Sequence, residues 1–223
     1  GMLKLEQKVW PNYGINNNMG LLGDSVAVKR LRDQVKRIGP TDVSILIYGE
    51  SGSGKETIAR SIHQNSSRSQ KPFLTVNCRA LSEMRIEAEV FGISAQPTSS
   101  PCMLEEADGG TILLNDVLAM PRNQQLNLLR FLQEGKIETA EGPKSVDVRI
   151  LAANSSDIEK ALIEGDFNEE LYHYINVLRI HVPSLKERVS DISVLANHFL
   201  REYSKEFNAQ AKSFSDDAIR SMN

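Results

Sequence analysis

The chain has 223 residues, 40% hydrophobic and 25% charged, with a formal net charge of −3, which suits one large globular domain or slightly more. A chain that itself gripped duplex DNA would more often be basic, so that role is not expected of this segment. No apolar run reaches the ~18 residues of a membrane helix, and no charged start followed by an apolar segment marks a secretory signal, so a cytoplasmic location is expected.

Gly1 before Met2 reads as an expression scar, and Lys4 to Asn18 as a polar linker containing Pro11. Apolar residues at 28, 31, 35 and 38 recur at helical spacing until Gly39-Pro40 stops the run. VSILIY (43–48) is a continuous apolar, β-branched strand of the kind buried in a parallel sheet. A glycine-rich turn precedes a helix from about Lys55 to Gln64. PFLTVN (72–77) is the next strand, and Arg85 to Val90 is expected to be helical. Ser94 to Pro101 is a loop by composition. GGTILLNDV (109–117) reads as a buried strand delivering Asn115 and Asp116 to the end of a sheet.

A helix follows over Met120–Gln133, with Pro121 near its first turn and Leu126, Leu129 and Leu132 as its expected apolar stripe. Residues 136–148 suit a hairpin around Glu141-Gly142-Pro143, and VRILAA (148–153) is another buried strand. Helices at 157–163 and 168–176, the strand RIHV (179–182) and a long helix from Asp191 to about Phe207 complete the pattern. Ser215 is the expected N-cap of a final helix. Strands alternating with helices predict a doubly wound parallel α/β domain, here over 21–183, after a 1–20 linker and before a smaller helical unit beginning at 184–223.

GESGSGKE (49–56) sits between a strand and a helix, the context a phosphate-binding loop requires. Gly49, Gly52 and Gly54 let backbone N–H groups turn inward, with Glu50, Ser51 and Ser53 between them. The helix start adds partial positive charge, and Lys55 would reach the β and γ phosphates. Glu56 stands where Ser or Thr would hold Mg²⁺, with Thr57 one residue further on.

Together with LLGDS (21–25), IARSIHQNSSR, PFLTVNC, the EVFG box (89–92), GGTILL, LLRFLQEG (128–135), VDVRILAA, LYHYINVLRI and PSLKERVSDI (183–192), these residues carry a resemblance. From Leu21 to Leu200 the chain resembles the AAA+ domain of bacterial sigma-54-dependent activators, the enhancer-binding proteins. The resemblance implies a P-loop NTPase fold with a helical lid. ATP or ADP would lie along Gly49–Thr57 and against Leu22 and Gly23, between protomers of a ring. Glu56 after the lysine fits that family's habit. It also implies RNA polymerase as partner, an N-terminal sensory domain, and DNA contact through a C-terminal domain outside this chain, which would make the chain an excised central domain.

The pattern breaks at two functions. The family's sigma-54 contact loop carries GAFTGA, whereas here Gly92 is followed by ISAQPTSSPCM. In the hydrolytic apparatus, Asn115 takes the place of the Mg²⁺-organising aspartate and offers a neutral amide. Asp116 takes the place of the glutamate that polarises water. It is one methylene shorter, which moves its oxygens by roughly 1–1.5 Å, and a shift of about 1 Å can cost on the order of 100-fold in rate. Asn168 and Tyr174 stand where the resemblance implies arginine fingers, worth about 10³–10⁵ in related phosphoryl transfer. The sensor Thr-Asn reads Asn154-Ser155, so Ser155 is a degenerate sensor, while Asn77 keeps the switch asparagine.

The expectation is a nucleotide-binding regulatory module with little hydrolysis, acting with the housekeeping polymerase and self-associating as a dimer or ring. Cyclic di-GMP enters as a ligand implied by the resemblance alone, and Mg²⁺ stays open. The alternative is a slow ATPase motor. His63, His173, His181 and His198 show no metal spacing, and Cys78 and Cys102 read as free thiols. Glu105-Glu106 and Glu169-Glu170 read as solvated helix charges, and Ser99 and Ser100 as polar loop residues.

Overall fold

Short apolar runs pair into one parallel sheet because each is buried on both faces. In the computed structural model, which describes residues 20–93, 101–139, 142–207 and 213–222, five strands lie in the order β2-β3-β6-β1-β7. They are β1 (Ile45–Tyr48), β2 (Phe73–Asn77), β3 (Thr111–Asn115), β6 (Arg149–Asn154) and β7 (Leu178–His181). A separate antiparallel hairpin joins β4 (Lys136–Thr139) and β5 (Gly142–Ser145). The expected 1–20 linker up to Met19, residues 94–100 of the expected loop, and Glu141 lie outside the described residues.

Alternation sorts the strand residues between two cores. Ile45, Ile47, Leu113 and Leu151 face α1 (Val26–Ile38) and α2 (Lys55–Gln64), which contribute Val28, Leu31, Val35, Ile58 and Ile62. Leu46, Ile112, Leu114 and Ile150 face the opposite layer. That layer holds the short turns α3 (Glu83–Arg85) and α4 (Met103–Glu106), the helix α5 (Arg122–Glu134), α6 (Ile158–Glu164) and α7 (Glu169–Ile175). Each of these buried aliphatic side chains contributes roughly 2 kcal/mol. A 3-10 turn over Leu185–Asp191 leads into α8 (Ile192–Glu206), followed by α9 (Asp216–Met222), whose start is capped by the Ser215 hydroxyl accepting from Ala218 N at 3.2 Å.

The expected Arg85–Val90 helix is present, as one α turn at Glu83–Arg85 running into a π turn over Ile86–Val90. One expectation needs correction. In α5 the buried face is Gln124, Gln125, Leu128, Leu129 and Phe131, while Leu126 is 48% exposed and Leu132 only half-buried. Gln125 is inside because its amide is fully used. Its Nε2 donates to Met120 O at 2.9 Å and Asp166 O at 3.2 Å, and its Oε1 accepts from Asn168 N at 2.8 Å. A buried amide satisfied in this way displaces a leucine that the spacing alone would have placed there.

Arg68 ties together the segments entering the three central strands β3, β6 and β1. It is buried and donates to both carboxylates of Asp42 and Asp147, at 2.6 and 2.8 Å for the closest pairs, and to the carbonyls of Gly110 and Asp147. The Arg68 guanidinium holds the Asp42 carboxyl below the usual carboxylate range, against a smaller upward push from burial. Cys78 and Cys102 are free and buried. His63 is buried with its Nδ1 2.9 Å from Thr111 Oγ1, so it serves the core.

Candidate functional site

Because every strand of the large sheet runs in one direction, the carboxyl ends of β1, β2, β3 and β6 share one edge. The registers Asn77↔Asn115, Asn115↔Ala153 and Tyr48↔Asn154 align those ends. Ligands of open α/β sheets bind outside this edge. The sequence-expected residues Gly49–Thr57, Asn77, Asn115, Asp116 and Ser155 are all brought to it.

The loop after β1 forms a cradle from its backbone. Gly54 caps the start of α2 in the left-handed region, at φ 101°, a conformation that a side chain resists. A Cβ built at Gly52 or Gly54 meets no atom within 4 Å, so the loop is open on that side. Glu50, Ser51 and Gly52 are exposed, apart from Glu50's part in a neighbouring cavity, and Ser53 is buried with its Oγ unpartnered. Lys55 is buried, and its Nζ donates to the carbonyls of Gly49 and Glu50 at 2.9 and 2.8 Å. Burial pulls its ammonium below the usual lysine range, opposed by the carboxylate of Asp116. An open glycine-rich loop at a helix start, an orphan hydroxyl and a desolvated cation fit a phosphate chain.

Glu56 is turned to Arg60 at 2.8 Å along the helix, and Thr57 is exposed. Gly20 approaches Thr57, where an added Cβ would lie 3.9 Å from Cγ2, so the segment carrying Leu22 and Gly23 runs beside the start of α2. Leu22 is half-buried there. Gly23 is buried against Asp191: an added Cβ would come within 2.5 Å of its Cγ.

The hydrolytic edge is built from side chains. Asn115 ends β3 half-buried, and Cys78 N donates to its backbone carbonyl at 2.9 Å. Asp116 follows with φ 54° and ψ 51°, and among the described residues no other non-glycine has a positive φ. That conformation costs an L-residue roughly 1 kcal/mol. Its Oδ1 accepts from the Ser155 hydroxyl at 3.3 Å, and its Oδ2 lies 3.5 Å from Arg79 Nε. Burial, then the charge of Asp116, pushes the neighbouring Cys78 thiol up to about 12. The Asn77 side chain is engaged with its own turn: its Oδ1 accepts from the amides of Arg79 and Ala80 at 3.1 and 3.2 Å. No group of three or more His, Cys, Asp or Glu side chains converges as a metal site among the described residues. Asn115 would offer a hard cation such as Mg²⁺ only a neutral amide oxygen, a weaker donor than a carboxylate.

Three contacts were beyond reach from spacing. Arg188 sits at φ −138° in the turn before α8 and donates from Nη2 to Ser53 O at 2.8 Å. Asp191 is fully buried and accepts from Asp24 N, Ser25 N and Ser25 Oγ at 2.7, 2.8 and 2.6 Å. A cavity of about 350 Å³ opens beside the loop, lined in part by Tyr48, Glu50, Ser155, Asp157 and Arg179. The Arg179 guanidinium lies over the Tyr48 ring at 4.4 Å and pairs with Glu159 at 2.6 Å. Asn168 and Tyr174 lie on α7 and its start. Asn168 caps that helix, accepting from Leu171 N at 2.8 Å, and Tyr174 is 37% exposed.

A parallel sheet in this strand order, with a glycine-rich loop between a central strand and a helix, defines an AAA+ P-loop NTPase fold. The chain belongs to the sigma-54 interaction domain family, which matches residues 21–181. It is 44% identical over 189 residues to a signal-transduction and transcriptional-control protein of Clostridium beijerinckii, covering 81% of this chain and 30% of that protein. To the transcriptional regulatory protein GlrR of Escherichia coli it is 38% identical, over 86% of this chain and 45% of GlrR. The structure of NtrX from Brucella abortus in complex with ADP matches with a TM-score of 0.84 at 36% identity, covering 91% of this chain and 46% of NtrX. NtrX in complex with ATP matches with a TM-score of 0.83. The chain therefore spans less than half the length of these relatives. No helix among the described residues is long and apolar enough to cross a membrane.

Proposed function

We propose that the chain is the central AAA+ domain of a bacterial transcriptional regulator that binds ATP or ADP and hydrolyses it little or not at all. Residues 21–183 form the nucleotide-binding unit and 184–223 the start of a helical lid. Gly49–Thr57 hold the phosphates, with Leu22 and Gly23 on the side of the base. A bound nucleotide supplies a polyanion that answers the desolvated charge of Lys55. The observation carrying the reading is the contrast at one sheet edge. The loop is open at Gly52 and Gly54 and carries its lysine, while Asn115 presents an amide and Asp116 is engaged by Arg79 and Ser155. Asn77 turned to its own backbone, and Asn168 spent on capping α7, point the same way.

The test is Mg²⁺-dependent phosphate release beside a Lys55→Ala control. Turnover well below ~1 s⁻¹, the low end of ordinary enzymes, together with tight ATP or ADP binding by calorimetry, is expected. The slow-motor reading keeps one favourable observation: Asp116 retains a carboxylate within electrostatic reach of Lys55. Turnover near 1 s⁻¹ would establish it.

The partner is RNA polymerase carrying the housekeeping sigma factor. The support is the sequence between Gly92 and Leu104, which has no GAFTGA. A pull-down comparing sigma-54 with the housekeeping holoenzyme decides this, and retention of sigma-54 would overturn it. Self-association into a dimer or ring, DNA contact through a C-terminal domain and tuning by cyclic di-GMP belong to the same reading. Light scattering with each nucleotide, and a cyclic di-GMP titration, test the first and last of these.

A further inference from the structure

The turn after β2 is rigid where it carries Arg79. Ala80 N donates to Asn77 O at 3.1 Å, and the Asn77 side chain accepts from the amides of Arg79 and Ala80. Arg79 thereby projects at the carboxyl edge of the sheet, one strand from Asp116. Its Nε lies 3.5 Å from Asp116 Oδ2, and its side chain stays 69% exposed. An exposed pair of that length adds little to stability, so structure alone gives Arg79 no reason to stay there. Asp116 is held in a left-handed conformation by partners on both flanking strands, Arg79 after β2 and Ser155 after β6. Outliers of this kind cluster at functional sites.

Resting on the nucleotide reading above, we propose that Arg79 is this site's cation for the terminal phosphate of a nucleoside triphosphate, parked on Asp116 until that phosphate arrives. A terminal phosphate carries more charge than one carboxylate and matches the guanidinium fork, so it displaces the weaker partner. Lys55, the cradle's own cation, feels the charge of Asp116, so the parking place lies within electrostatic reach of the cradle. The inference also fits what α7 lacks. Asn168 and Tyr174 bring no guanidinium to the ring interface, and Asn168 spends its side-chain oxygen on Leu171 N. A cation on the same chain leaves charge recognition independent of a neighbouring subunit. A diphosphate ends short of Arg79, so the residue discriminates ATP from ADP.

The experiment is a calorimetric titration of the whole chain with ATP and with ADP, for the wild type, Arg79→Ala, Arg79→Lys, Arg79→Glu and Lys55→Ala. Arg79→Ala is expected to weaken ATP about tenfold, the size of one charge-assisted contact, while ADP moves less than about twofold. Arg79→Lys should retain most of the ATP affinity, and Arg79→Glu should lose more than Arg79→Ala. Melting curves check that each variant is folded, as expected for an exposed side chain. An equal loss for both nucleotides, or no loss for either, overturns the proposal and leaves nucleotide binding standing. A wild type that binds neither nucleotide, indistinguishable from Lys55→Ala, removes the nucleotide reading and this proposal with it.

Discussion

The phosphate cradle and the hydrolytic edge lie at the carboxyl ends of β1 and β3, which flank β6, yet they are made of different material. The cradle depends on backbone amides, glycine conformations and a single lysine seated on two carbonyls. The edge depends on the length and charge of side chains at Asn115, Asp116 and Ser155. A backbone-built function persists as long as the fold does. A side-chain-built function changes with each substitution, even where the sheet beneath it stays intact.

The strongest test of that comparison is to rebuild the edge on the existing cradle. Asn115→Asp combined with Asp116→Glu is expected to raise Mg²⁺-dependent phosphate release on the order of 100-fold, because the lost carboxylate returns and the second one gains its missing reach. An unchanged rate would place the deficit at Asn168 and Tyr174 instead. The converse test leaves the edge alone and damages the cradle. Lys55→Ala should weaken ATP and ADP alike by roughly 100-fold, the loss of about two charge-assisted bonds to phosphate, as measured by calorimetry.

A third variant leaves both regions alone and breaks the contact between the start of α1 and the turn before α8. Asp191→Ala leaves the amides of Asp24 and Ser25 without their buried acceptor and should cost about 2–4 kcal/mol in denaturant unfolding. The smallest expected effect is the pH dependence of the same contact. Burial pushes the Asp191 carboxyl up, but the Ser25 hydroxyl, the Ser25 and Asp24 amides and the charge of Arg188 together hold it below the usual carboxylate range. A carboxyl depressed in the folded state binds fewer protons there than in the unfolded chain. Its contribution is therefore complete above the unfolded pKa of about 4 and is lost as pH falls through the folded value. Acid unfolding of Asp191→Asn compared with the wild type, followed by circular dichroism from pH 6 to pH 2, should show a shallower acid limb in the variant.

Much of the fold was legible because the hydrophobic periods are strong. Helix α2 begins and ends where Lys55 and Gln64 predict, and the strand expected at 148–153 forms one residue later, fully buried over Arg149–Asn154. The misplaced stripe in α5 shows where periodicity stops being informative. Whether Gln125 or Leu126 faces inward depends on carbonyls contributed by Met120 and Asp166, and the segment 157–168 that brings Asp166 into place is invisible to a local window. At the site, the loop could be read from its spacing because its chemistry is local. The pairings Arg79–Asp116, Arg188–Ser53 and Asp191–Ser25 join residues distant in sequence, and no motif announces them.

The amide of Gln125 has one more consequence. It bridges the stretch leaving β3, just past Asp116, to the first residues of α7, where a neighbouring subunit would be met. These two stretches are therefore mechanically one piece. A rigid strut of this kind makes the inner edge and the outer face tilt together, so an assembly pressing on α7 would carry that displacement inward to the Asp116 turn.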